Sequence, residues 1–209
     1  MDELRTRVTN AKSSIIGITE IKPKKANFDL TTSEIKIANY NLFTNNMNTG
    51  EGRGCCLYIS SSIIAHQVFT YSQVFSDSVW VEICLKNHDR LLVGCVYRSN
   101  SCNQEQNEAL NTVLKDISNN KKYTHVLIMG DFNFNNIDWS TWKTNSQNLN
   151  DKGNRFLETM KDCFFSQHVT QLTRIRGTNE PSLIDLLITN EEGLVSDVEV
   201  QSPLGRSDH

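Results

Sequence analysis

The stretch His125-Val126-Leu127-Ile128-Met129-Gly130-Asp131-Phe132-Asn133 constrains this chain more than any other. Val126 to Met129 is a continuous apolar run, short and stopped at once by Gly130, and it reads as a strand buried on both faces. A carboxylate stands where the run stops. Asp131 and Asn133 are two residues apart, so an extended backbone would point both the same way. Such a pair can handle a water molecule and a phosphate oxygen together. An Asx-type turn closing a strand accounts for the same residues, and the stretch by itself does not separate the two readings.

The chain around it favours one domain spanning residues 1–209, with no Pro/Gly/Ser-rich linker, repeat or low-complexity tract. Hydrophobic content of 38% and charged content of 22% are those of a globular protein. No apolar run approaches the length of a membrane span, and the acidic start Met1-Asp2-Glu3 is unlike a secretory signal. The six cysteines include no Cys-x-x-Cys pair, so free thiols in a reducing, intracellular compartment, nuclear or cytoplasmic, are expected. A net charge of −3 excludes a protein that grips nucleic acid by bulk electrostatics, but not a metal-dependent nuclease, whose clustered acids lower the total.

Periodicity predicts a helix over residues 2–12, with Leu4 and Val8 on one face, and a strand over 15–19 that ends in Glu20. A loop is expected over 22–32 around Pro23, a loose strand over 35–43 and an Asn/Gly-rich turn over 45–54. Strands follow over 55–60, 63–71, 79–85 and 91–97, the third with Val79, Val81, Ile83 and Leu85 on one face and a hairpin-like turn at 87–90 after it. Helical spacing of Leu110, Val113, Leu114 and Ile117 predicts a helix over 103–118 with Asn103 as N-cap. A long loop carrying Trp139 and Trp142, a helix over 154–161 and strands over 169–174, 183–189 and 195–200 complete the chain. Many meander-spaced strands with few helices point to a layered α/β sandwich rather than an alternating βαβ sheet.

Four places put chemistry-capable side chains at strand ends or inside apolar strands: Glu20; Tyr97 with Arg98 and Asn100; Asp131 with Asn133; and Asp185, with which Asp208-His209 belongs. Asp185 lies within Leu183-Ile184-Asp185-Leu186-Leu187-Ile188, where an unpaired carboxylate is costly, and a histidine N–H is a natural partner. Each place also has an ordinary reading. Glu20 could be a solvated loop acid, Tyr97 a core residue with its hydroxyl at the rim, Asp185 a buried acid satisfied by backbone amides, and Asp208-His209 a frayed segment.

Taken in order, Ile18-Thr19-Glu20, Tyr97-Arg98, Gly130-Asp131-Phe132-Asn133, Ile184-Asp185-Leu186-Leu187 and Ser207-Asp208-His209 resemble the motifs of the endonuclease/exonuclease/phosphatase superfamily, which includes apurinic/apyrimidinic endonucleases and deoxyribonuclease I. Tyr97-Arg98 and Leu204-Gly205-Arg206-Ser207-Asp208-His209 look most like the endonuclease domains of non-LTR, LINE-type retrotransposons. The resemblance runs from Ile15 to His209. It implies a DNase I-like, four-layer α/β sandwich of two facing, mostly antiparallel sheets flanked by helices. It also implies a Mg²⁺-dependent (or Mn²⁺-dependent) phosphodiesterase: a monomeric DNA-nicking endonuclease with a reverse transcriptase domain in its parent polyprotein.

By the same resemblance, Glu20 would hold Mg²⁺ and Asp131 would orient and deprotonate the attacking water. Asn133 would hold that water or a phosphate oxygen. His209, oriented by Asp185, would bind phosphoryl oxygens. Asp208 would sit at the metal or a second metal position, and Tyr97 would contact the scissile phosphate, with Arg98 and Asn100 on the nucleic-acid backbone. Hard Mg²⁺ suits this oxygen-rich set, which contains no soft zinc cluster. Against the family pattern, a first strand with its Asn and a closing strand after His209 are missing, so a domain clipped on both sides is expected. A phosphatase acting on an inositol phosphate or lipid headgroup, and an inactive fragment, are the competing readings.

Overall fold

The computed structural model describes residues 1–22, 30–47, 53–175, 180–205 and 207–209. The expected loop at 22–32 and turn at 45–54 fall largely outside these residues, as does Arg206.

Two sheets lie face to face. The smaller has the order β1 (Ile15–Thr19), β3 (Cys55–Ser60), β2 (Tyr40–Asn45). The larger has the order β10 (Ser166–Gln167), β11 (Asp185–Thr189), β7 (His125–Asp131), β6 (Arg90–Tyr97), β5 (Ser78–Cys84), β4 (Ala65–Gln67). All of their pairings are antiparallel except β6 with β7. Between the sheets, Cys55, Leu57 and Ile59 of β3 pack on Val79, Val81, Ile83, Val93, Cys95 and Tyr97. The period-2 alternation of these residues is what gives each strand its inner face.

The outer faces carry helices. Leu4 and Val8 of α1 (Asp2–Ala11) cover Cys56 and Tyr58 on the smaller sheet. Helices α3 (Thr70–Val74), α4 (Gln104–Asn119) and α5 (Lys152–Asp162) cover the larger sheet, burying Leu110, Val113, Leu114, Phe156 and Met160 against Val126 and Ile128. Helix α4 starts where expected. The Asn103 side chain accepts the Gln106 N–H at 2.8 Å and Gln106 returns the bond at 2.9 Å, a reciprocal capping box. The result is the four-layer sandwich that the alternation and the family resemblance predict.

Strand β7 is the spine. It pairs β6 on one side and β11 on the other, with Val126 and Ile128 toward the helices and Met129 toward the facing sheet. It is therefore covered on both faces, as its apolar run requires.

Several boundaries differ from expectation. Ile35 closes a short helix, α2 (Thr32–Ile35), with a Thr31–Glu34 capping box, and the strand begins at Tyr40. The expected strand at 63–71 is split into β4 and α3. The tryptophan-bearing loop contains a small hairpin, β8 (Ile137–Asp138) with β9 (Lys143–Thr144). Residues 169–174 and 195–200 form no strand; Arg174 makes only an isolated bridge to Ser182. Apolar alternation gives a strand only where a neighbouring ladder is within reach. All six cysteines are free, and no helix among the described residues is long and apolar enough to cross a membrane.

Candidate active site

The sheet registers bring three of the predicted side chains into one row. Tyr97 on β6 is the register partner of Asp131 on β7, and Asp131 is the partner of Asp185 on β11. Partners at one level of a sheet point to the same face. Here that face looks toward the smaller sheet, where β1 ends at Glu20.

His209 completes the row. Its Nδ1 lies 2.8 Å from Asp185 Oδ2, and its Nε2 lies 4.0 Å from Asp131 Oδ2. With Nδ1–H donating to Asp185, Nε2 is directed at Asp131. Asp185 opens β11 rather than lying inside a longer strand, and its carboxylate is half-buried against the histidine. The expected histidine partner is the one the structure supplies.

The electrostatics are unfavourable in a specific way. Burial and the neighbouring Asp185 charge push the Asp131 carboxyl up to about 7, with His209 and the Asn133 N–H pulling the other way. The His209 imidazole is raised by its hydrogen bond to Asp185, against the effect of burial. Tyr97 is buried, and burial together with Glu20 raises its phenol.

Asn133 corrects the extended-backbone expectation. Strand β7 ends at Asp131, and Asn133 takes φ 51°, the left-handed region. Its N–H turns back to Asp131 Oδ1 at 3.0 Å, an Asx turn. The turn, not an extended strand, therefore sets how the two residues meet. The Asn133 amide donates to Arg98 O at 3.0 Å and accepts from Asn100 Nδ2 at 3.1 Å, so Asn100 reaches the site through Asn133.

Two further expectations are corrected. Arg98 does not face solvent or substrate: its side chain is 0% exposed and lies on the helix side of the sheet. Alternation demands this, because Tyr97 before it points into the sandwich. Asp208 does not join Asp131, Asp185 and His209. Burial alone would raise its carboxyl, but Arg174, with Nε at 3.1 Å, outweighs burial and holds it below the ordinary value.

Asp208 instead anchors the segment that carries His209. The Ile175 N–H donates to Asp208 O at 3.0 Å, and His209 N–H donates to Ser207 Oγ at 3.1 Å. Further back, Arg7 of α1 donates to Ser202 O and Pro203 O, both at 2.7 Å, and the Gly205 N–H donates to Glu3 Oε2 at 3.0 Å. His209 is held, not frayed.

Glu20, at φ 55°, comes from the opposite sheet. Its Oε2 accepts from Arg53 Nη2 at 3.1 Å, and its charge acts on both Tyr97 and Asp131. Arg53 also donates from Nε to Lys22 O at 3.0 Å. Arg53 stands at the edge of an Asn/Gly-rich turn, where no sequence motif marks it.

The donor set fits a hard divalent cation. Asp131, Asp185 and His209 each offer one ligand atom, all within 4.8 Å of one another. Two oxygens and an imidazole suit Mg²⁺ or Mn²⁺ better than a thiolate-seeking metal. Like-charged carboxylates in register, one of them pushed up to about 7, are what a cation would relieve.

A family model described as endonuclease-reverse transcriptase matches residues 91–209, more than half of the chain. The chain belongs to that family. The matched endonuclease-reverse transcriptase segment includes Tyr97, Asp131, Asp185 and His209, and Glu20 lies outside it. Solved structures agree on the fold. The endonuclease domain of TRAS1, a telomere-specific non-LTR retrotransposon, is 16% identical over 99% of this chain and 87% of that one, with a TM-score of 0.69. The AP endonuclease LMAP from Leishmania major is 13% identical over 90% and 73%, with a TM-score of 0.65. The Bacteroides thetaiotaomicron mannosyl-6-phosphatase Bt3783 is 11% identical over 90% and 75%, with a TM-score of 0.54. No curated protein matches the chain. The chain thus has the endonuclease/exonuclease/phosphatase fold, whose members act on phosphoester bonds.

Proposed function

We propose that this protein is a Mg²⁺-dependent DNA endonuclease that nicks one strand, as part of a retroelement polyprotein that also carries a reverse transcriptase. The observation that carries the reading is the row Tyr97–Asp131–Asp185 across three adjacent strands, with His209 bridging its two acids. The family description and the TRAS1 likeness support DNA as the substrate.

Each residue has a task that its surroundings favour. Asp131 takes the proton from the attacking water; a carboxyl raised to about 7 is matched to accepting one near neutral pH. Asp185 fixes the His209 ring and favours its protonated form, so that Nε2–H is available to an anionic phosphoryl oxygen. Tyr97, with its hydroxyl near Glu20, donates to the scissile phosphate. Asn133 and Asn100 hold the turn beside Asp131, and Glu20 would hold the divalent ion alongside the Asp131–Asp185–His209 cluster. The ion would supply charge neutralisation at the phosphate.

The test is incubation of the protein with supercoiled plasmid and Mg²⁺, with EDTA added in parallel, and with inositol phosphates and phosphoinositides in separate reactions. Relaxed circles formed only with Mg²⁺ are expected. Phosphate release from the small substrates with intact plasmid would replace this reading with the phosphatase one.

A further inference from the structure

Among the described residues, Arg98 is the largest fully buried polar side chain that no catalytic step uses. Its guanidinium makes three hydrogen bonds: Nε to Asn107 Oδ1 at 2.7 Å, and Nη1 to Phe132 O at 3.0 Å and Asn133 O at 3.1 Å. It lies over the Phe134 ring, 3.9 Å from the centroid. Its Nη2 is buried with no hydrogen-bond partner among the described residues. The Arg98 main chain adds two more bonds, N–H to Asp131 O at 2.8 Å and its own carbonyl to Asn133 Nδ2 at 3.0 Å. One residue therefore touches all four positions from Asp131 to Phe134.

A charge buried with no carboxylate in contact is costly and needs a reason. The turn it grips supplies one. Asn133 sits at φ 51°, a left-handed conformation that asparagine adopts more readily than most residues and that the Arg98 bonds select here. In that conformation its N–H reaches Asp131 Oδ1 and fixes the carboxylate. The forked guanidinium spans two successive carbonyls and an amide oxygen at once, which a lysine ammonium cannot do in the same geometry.

We infer that Arg98 is a positioning residue that sets the Asp131 carboxylate through the Asn133 turn and never contacts nucleic acid. The catalytic part of this rests on the proposed role of Asp131; the positioning part does not.

The test compares wild type, Arg98→Lys and Arg98→Met, with Glu82→Gln as a control that weakens the fold far from the site. Amide hydrogen exchange is read at Asn133 and at Ile128 and Leu186. Plasmid nicking is read as kcat and KM per folded molecule, and DNA binding as its salt dependence. Selective loss of protection at Asn133 in both Arg98 variants is expected, with kcat down about 10–100-fold and KM within about twofold. The slope of log affinity on log salt should stay as in wild type, whereas a lost phosphate contact would reduce it by about 0.9. A reduced slope with a raised KM would make Arg98 a phosphate contact and overturn the inference. Retained protection at Asn133, with kcat unchanged once folded fraction is counted, would also overturn it. If wild type does not nick, the exchange at Asn133 still decides the positioning role, and only the nuclease reading falls.

Discussion

Glu82 and Asp131 are both buried carboxylates on the same sheet, 6% and 3% exposed, and they lie toward opposite ends of it. Glu82 is paired with Arg90 and Lys122; burial alone would raise its carboxyl, but the two cations outweigh burial and hold it below the ordinary value. Asp131 faces Asp185, and burial and that like charge push it up to about 7. The chemical group is the same and both are shielded from solvent, Glu82 by its cations and Asp131 by the sandwich interior, yet the environments have opposite signs. A carboxylate that serves the fold is given cations. One left beside another acid costs stability, and that pattern marks a site built for chemistry.

The sharpest way to break this contrast is to remove each charge. Asp131→Asn should lower Mg²⁺-dependent nicking by about 10²–10⁴-fold, the usual contribution of a positioned base, with a melting temperature equal to or above wild type. Glu82→Gln should do the reverse, lowering the melting temperature while turnover per folded molecule is kept. An Asp131→Asn protein that fails to fold, or a Glu82→Gln protein that fails to turn over, would erase the distinction.

A smaller effect is expected at Asp185. Asp185→Asn replaces the charged acceptor that raises His209 with a neutral one, so an NMR titration of the ring should show its pKa falling toward the ordinary value. Nicking should drop about tenfold or more, as for loss of a group that orients a catalytic histidine. An unmoved titration would separate His209 from Asp185.

Two glycines extend the contrast to the backbone. Gly130 has φ +141°, and an added Cβ would lie 2.0 Å from Val96 O, so Gly130→Ala should lose about 2–4 kcal/mol in urea unfolding. At Gly193 an added Cβ meets nothing within 4 Å, and the same change there should stay within about 0.5 kcal/mol.

The smallest effect is in stability against pH, and the two acids should move it in opposite directions. Asp131 is raised on folding, so its cost is absent below its ordinary value of 3.8, grows as pH rises and is complete above about 7. The melting-temperature advantage of Asp131→Asn should widen over that window. Glu82 is lowered on folding, so its contribution is complete above 4.5 and is lost as pH falls through its folded value. The deficit of Glu82→Gln should close in acid. Parallel curves for the two variants would show that charge is not what separates the two ends.

Elements with a strong period were legible in the sequence. The run from Val126 to Met129, the alternation of Val79, Val81 and Ile83, and the Asn103-capped face of Leu110, Val113 and Leu114 all form the elements they imply. The pairing of Asp185 with a histidine was legible because a carboxylate beside apolar neighbours demands a donor. Arg98 was misplaced by grouping it with Tyr97 as a strand-end pair, although alternation puts neighbours on opposite faces. Its partner Asn107, four residues beyond the N-cap on the mostly apolar buried face of α4, is a sequence sign of a buried donor nearby. The Asn133 turn was undetermined because Asp-x-Asn fits both an extended end and an Asx turn. Arg53 carried no signal, since its partner Glu20 comes from a different strand and register alone reveals the meeting.

The anchoring of the His209 segment bears on when the site becomes complete. Arg7 holds Ser202 and Pro203 across separations of 195 and 196 positions, and Glu3 holds Gly205 across 202. Contacts of such long sequence separation form late, after local elements have consolidated. A half-folded chain can therefore contain the Asp131 strand and still lack its histidine. Under the proposed nuclease function, such a chain would stay inactive until the His209 segment docks on α1.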